Sequence, residues 1–236
     1  MDQPDARHRA TAAAEQPLRA LPLVQALQDF LQRLYRIESG HRVTDFVITD
    51  RRLAAILDAR GAKQTAPERL LLREGDDALE LSLYLDARLL AMLPGHPDEP
   101  IRACQVDAFC KVLEGVSHFL YAVHRGSRDR PFSRLELELQ AEVDKYATLA
   151  TLIRHAYGTR PEPWLRTGLF ERIRFDPRLE TAELLRYRTA NRYAARYCGR
   201  LERRYAWGWA SADARKELRR FYRMGHAEKL RHIGPP

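Results

Sequence analysis

From Asp86 to the C-terminus of this 236-residue chain, apolar residues recur at steps of three and four, and no segment there alternates with period two. A three- and four-residue step lines one face of an α-helix. The chain is therefore committed to a mostly α fold over more than half its length. The pattern predicts a short helical piece reaching Leu93, then helices over 101–125, 134–157, 164–174, 182–205 and 212–233. Ser133 followed by Glu136 is a capping-box sequence, since the serine oxygen takes the amide of Glu136 while that carboxylate reaches back to the serine amide. Gly158 suits the far end of the same helix, with Pro161 beyond it.

The upstream part is different. Leu23, Leu27, Phe30, Leu31 and Leu34 predict an amphipathic helix starting near Pro22, with Gly40 past its end. Residues 44–48 are short and β-branched, and Asp50 suits the N-cap of a helix ending at Gly61. Leu79, Leu81, Leu83 and Leu85 alternate with Glu80, Ser82 and Tyr84, which predicts a half-buried strand. Its partner is 69–74 across a turn at Gly75, Asp76 and Asp77. An isolated hairpin is marginal in water, so its apolar face must rest on helices or on 44–48. The expected architecture is a flexible tail over 1–20, an α+β portion with one β-hairpin over 21–95, and a helical bundle of about five helices over 96–236, all as one continuous domain.

Composition removes several function classes. At 45% apolar and 31% charged residues the chain is neither fibrous nor disordered in composition. Its length supports a hydrophobic core without metal or disulfide staples. Cys104, Cys110 and Cys198 are three in number with no CxxC spacing, which fits a reducing compartment and excludes zinc-ribbon and thioredoxin readings. No Walker A, GxGxxG, HExxH or GxSxG sequence occurs. Without a run of 18 apolar residues or a signal-type N-terminus, the expectation is a cytoplasmic protein that does not associate with membranes. No cofactor and no metal is called for.

Two constellations could carry chemistry. On the predicted helix 134–157, Leu135, Leu139, Val143, Tyr146, Ala150, Ile153 and Tyr157 share one arc, and Glu142 falls inside it. Desolvating a lone carboxylate costs several kcal/mol, so Glu142 must be partnered; Lys145, three residues on, is the ordinary candidate. On the preceding helix Glu114, Ser117, His118 and Tyr121 lie opposite the apolar arc, a position that usually means a solvated face. Glu114 and His118 facing Glu138 and Glu142 would alternatively make a polar, metal-binding or acid/base pocket, although the spacing is not that of a di-iron bundle. Gly115 permits the close approach of another helix.

Charge is the second signal. Residues 160–236 hold 19 Lys plus Arg against 9 Asp plus Glu, a net charge of +10, while the whole chain carries +8. On 182–205, Leu184, Tyr187, Ala194, Cys198, Leu201 and Tyr205 form an apolar face, opposite a ribbon of Arg188, Arg192, Arg196, Arg200 and Arg203. The last helix repeats this with Arg215, Arg219 and Arg223, and Trp207 and Trp209 lie between. No acid sits in the first ribbon, so a compensating anion is expected: nucleic acid, an acidic protein surface, or the chain's own net-negative part, with a merely solvated face as the remaining reading. The sequence thus points to a non-enzymatic binding or regulatory protein that uses its basic C-terminal helices, with the Glu/His pocket of an enzyme or metal-binding protein as the alternative.

Overall fold

The computed structural model describes residues 17–58, 66–74, 79–158, 163–173, 175, 177, 179–205 and 211–235. The chain divides into two compact units, one made of Met1–Phe30 with Ser39–Leu120 and the other of Leu31–Glu38 with Tyr121–Pro236. Nine α-helices and a three-stranded sheet account for the regular structure of the described residues, a mostly α fold with its α+β part N-terminal.

Helix α1 (Leu21–Tyr35) belongs to the first unit up to Phe30 and to the second from Leu31; its first-unit part buries Leu23, Val24 and Leu27, and a 3-10 turn over Pro17–Ala20, expected within the tail, buries Ala20. Gln28 ties down the returning loop: its Oε1 accepts from the Val43 amide at 2.6 Å while its Nε2 donates to the His41 carbonyl at 2.6 Å. The β-branched stretch then supplies a 3-10 turn and the two-residue strand β1 (Val47–Ile48). Asp50 caps α2 (Arg51–Leu57) as its position implies, accepting from the Arg52 and Leu53 amides. The helix ends at Leu57, short of Gly61. Asp58 instead turns its carboxylate to Arg69 at 2.9 Å, an enclosed ion pair between the helix end and the sheet.

The sheet has the order β1-β3-β2, with β2 (Glu68–Glu74) antiparallel and β1 parallel to β3 (Leu79–Leu85). Leu70 and Val47 both pair with Leu83, so the predicted hairpin partners hold register and β1 closes the other edge. The expected turn at Gly75, Asp76 and Asp77 lies outside the described residues. β3 differs from a half-buried strand at its far end. Leu83 and Leu85 are buried on one side, and Tyr84 is buried on the other in a cluster with Ala54, Leu71 and Ile48. α2 returns onto the face that alternation alone assigns to solvent. After α3 (Ala87–Ala91), capped by Asp86, a 3-10 turn at Ala103–Gln105 leads into α4 (Val106–Gly126).

In the second unit, α5 (Arg134–Tyr157) begins in the predicted capping box and ends at Gly158, whose φ of +64° is the left-handed conformation that glycine tolerates best. A single turn, α6 (Pro163–Arg166), runs into a π-helical turn over Thr167–Glu171, ending short of 174. α7 (Thr181–Arg204) packs along α5. The expected last helix is two, α8 (Ala212–Arg223) and α9 (His226–Ile233). Met224 is extended, and Gly225 donates its amide to the Glu228 carboxylate at 3.0 Å, which starts a new helix. Aromatic rings fill this core: Tyr35 stacks on Tyr222 and Tyr197 on Phe221, each pair with centroids 4.0 Å apart. Among the described residues no helix is long and apolar enough to cross a membrane.

Candidate functional site

In the first unit the structure brings Glu114 and His118 together and adds a residue the sequence did not single out. Glu68, the first residue of β2, joins the two α4 side chains so that one ligand atom from each lies within 4.8 Å of the others. His118 Nδ1 stands 3.4 Å from Glu68 Oε1, and these side chains are only 7% and 10% exposed. The polar side of α4 is therefore not a solvated face: Ser117, His118 and Tyr121 are buried and Glu114 is half-buried.

Gly115 explains how a strand reaches the helix here. A Cβ at this position would stand 2.9 Å from both Glu68 Cγ and Leu83 Cδ1, too close for any real pair of carbons. The close approach inferred from this glycine is real, and its partner is the sheet rather than another helix. Glu68 escaped notice because a lone carboxylate at a strand start, 50 residues from His118, has no periodic relation to the helix.

Glu138 and Glu142 belong to the second unit. Lys145 Nζ donates to Glu142 Oε1 at 2.8 Å, the expected pair, with both side chains about nine-tenths enclosed. Glu138 faces Arg186 of α7 at 3.8 Å. Every residue from Glu136 to Ala150 is buried, so α5 carries its charges through the interior. A second polar row lies on the same helix, one turn apart: Glu136, Gln140 and Asp144. Tyr121 donates to Glu136 at 2.9 Å, Gln140 Nε2 donates to Asp144 at 2.8 Å, and the Tyr35 hydroxyl donates to Asp144. Lys229 completes the row from α9, its Nζ donating to Gln140 Oε1 at 2.7 Å. Burial outweighs the nearby Glu136 and Asp144 carboxylates and pulls the Lys229 ammonium down to about 7.

The arginine ribbons divide into two kinds. Arg196 and Arg200 donate to the Ile233 and His232 carbonyls at the end of α9, at 3.2 and 2.5 Å. Arg219 donates to the Leu34 carbonyl at 2.8 Å and Arg223 to those of Tyr35 and Arg36 at 3.0 and 3.1 Å, at the end of α1. The last carbonyls of a helix lack intrahelical donors and carry the negative end of its dipole, so cationic side chains belong there. Among the described residues the chain's own helix ends, rather than its acidic side chains, take up these four. Arg188, Arg192 and Arg203 are exposed and Arg215 is half-buried. Trp207 and Trp209 lie outside the described residues.

Arg219 and Arg223 also belong to a wider crowd. The Arg219 guanidinium is pushed below its ordinary range by burial and then by Arg36, Arg215 and Arg223. His124 is pushed down to about 4 by burial and then by Arg128, Arg223, Arg125 and Arg130. Arg128 Nη1 lies 3.0 Å from His124 Nδ1. Arg36, Arg128 and Arg130 are exposed. Their gathering was invisible as a motif because it joins the end of α1, the end of α4 with its following loop, and α8. We find no protein-family model that matches the chain, and neither a curated protein nor a solved structure that is similar to it.

Proposed function

We propose that the protein binds a phosphate-bearing polyanion, nucleic acid, through the arginine-rich surface of its second unit. The observation that supports this reading is the convergence of Arg36, Arg125, Arg128, Arg130, Arg219 and Arg223, none of which has a carboxylate partner among the described residues. Like charges so gathered repel one another, and an anion brought to them relieves that repulsion. Guanidinium groups suit phosphate because their planar fork offers paired donors. Those of Arg36, Arg128 and Arg130 are on exposed residues, while the helix-end carbonyls orient Arg219 and Arg223 behind them. The α7 arginines Arg188 and Arg192 are a second basic surface on the same unit.

Fluorescence anisotropy with single-stranded RNA, single-stranded DNA and duplex oligonucleotides at two salt concentrations tests the reading. Binding should weaken steeply with salt, and Arg36→Gln/Arg128→Gln/Arg130→Gln should flatten the log–log slope by about 0.7 to 0.9 for each phosphate that is no longer neutralised. Arg188→Gln/Arg192→Gln separates the two surfaces. Failure to bind any of the three more tightly than about 100 µM at low salt removes nucleic acid and leaves an acidic protein as the partner.

A further inference from the structure

We propose that Glu68, Glu114 and His118 form a binding site for one divalent transition-metal ion in the first unit. The geometry fits an ion first. Donors held about 2.0 to 2.2 Å from a common metal stand roughly 3 to 4.4 Å from one another. The His118 Nδ1 to Glu68 Oε1 separation of 3.4 Å falls inside that range, and the full set within 4.8 Å needs only small side-chain rotations to close on an ion.

The donor set selects the ion. Carboxylate oxygens and an imidazole nitrogen together are the donors of divalent transition-metal ions. Imidazole argues against magnesium and calcium, which prefer oxygen alone, and the set has no thiolate to favour soft ions. Manganese, iron(II), cobalt and zinc are the matching ions. Three protein donors among the described residues are fewer than the four to six such ions hold, so the remaining positions go to water or an exogenous ligand.

The site is also built rather than accidental. Glu114 and His118 are one turn apart on α4 and share a face. Glu68 is fixed at its Cα by the ladder opposite Leu85. Gly115, directly beneath the cluster, leaves the space in which the Glu68 side chain crosses the helix; the smallest side chain there would collide with it. Phe119, next to His118, packs on Phe46 with ring centroids 5.0 Å apart and limits movement of that turn.

The rival account is an ion pair between protonated His118 and Glu68, with no metal. Calorimetric titration of the untagged, chelator-treated full chain with Mn2+, Co2+ and Zn2+ separates the two. The expected result is one equivalent bound, with Co2+ developing visible d–d absorption. Since losing even an outer partner of a ligand weakens metal sites by about 10- to 100-fold, Glu114→Gln and His118→Asn should each weaken binding at least tenfold, with the far-ultraviolet circular dichroism of the metal-free protein unchanged. Should either variant fail to fold, the histidine ring nitrogens of the 15N-labelled wild type provide the readout, because Zn2+ must shift those of His118. The proposal is overturned if none of the three ions binds at about 100 µM, if binding survives both substitutions, or if the His118 resonances ignore Zn2+.

Discussion

Lys229 donates a hydrogen bond to Gln140 in a place that solvent does not reach, and its ammonium lies 4.3 Å from the centre of the Tyr121 ring and 5.0 Å from that of Phe221. α9 is thereby joined to the middle of α5 by one side chain. The ring faces and the Glu136 and Asp144 carboxylates favour the cation, but burial opposes it more strongly.

The direction of that shift fixes a pH dependence. With the folded value at about 7 and the unfolded one near 10.5, the unfolded chain binds the extra proton between these limits. Stability is then reduced below pH 7 and recovers as the pH rises, at no more than about 1.4 kcal/mol per pH unit. Thermal melting should rise from pH 7 to 9, and Lys229→Met should remove the rise. A melting temperature that stays flat in wild type over this interval contradicts the assignment.

His124 acts on the acid side. Burial and the surrounding arginines hold it at about 4 against an ordinary 6.5, so the folded chain keeps the ring neutral while the unfolded chain takes up a proton, and stability is lost as the pH falls from 6.5 towards 4. His124→Gln should blunt acid destabilisation within that window. The test is a denaturant titration at pH 7, 5.5 and 4.5, followed by tryptophan fluorescence.

The Glu142–Lys145 pair is enclosed, and breaking such a pair from one side costs on the order of 3 kcal/mol or more. Glu142→Gln should lower the melting temperature by several degrees. Replacing both residues, as Glu142→Met/Lys145→Leu, should recover much of the deficit because neither charge of the pair is then left buried without the other. A double variant no better than the single one would show that Glu142 serves a further role.

Leu83 lies at the centre of the sheet, fully buried and paired on both sides. Leu83→Asp places a charge there at a cost of several kcal/mol, comparable to the stability of a whole domain. The first unit should lose its cooperative melting transition, read by circular dichroism. Leu81→Asp, at a half-buried position of the same strand, should be milder.

The arginine caps make a contrasting pair. Arg219→Ala/Arg223→Ala removes donors from three carbonyls at the end of α1 and should cost about 1.5 to 3 kcal/mol for each charged hydrogen bond removed. Arg188→Ala/Arg192→Ala, on exposed α7 positions, should leave the melting temperature within about 1 °C. Equal effects would mean that the capping bonds contribute nothing.

What the sequence determined by itself is local. Ser133, Glu136 and Gly158 mark the ends of α5, Asp50 marks the start of α2, and the leucines of 79–85 mark β3, because caps and periodicity act between residues a few positions apart. The Glu142–Lys145 pair was legible for the same reason, since three residues on a helix are neighbours in space. Only the tertiary structure decided what lies against what. Glu68 reaches Glu114 and His118 from a strand 50 residues from His118, and Gly115 shows its purpose only once that strand is beside it. The Arg196, Arg200, Arg219 and Arg223 side chains looked like a solvent-facing ribbon because carbonyls at the ends of distant helices leave no mark in composition. Helix α5 looked amphipathic and is buried all round from Glu136 to Ala150: partners such as Tyr35, Tyr121, Arg186 and Lys229 meet its polar side chains there, and a one-dimensional pattern cannot tell charge facing water from charge facing a partner.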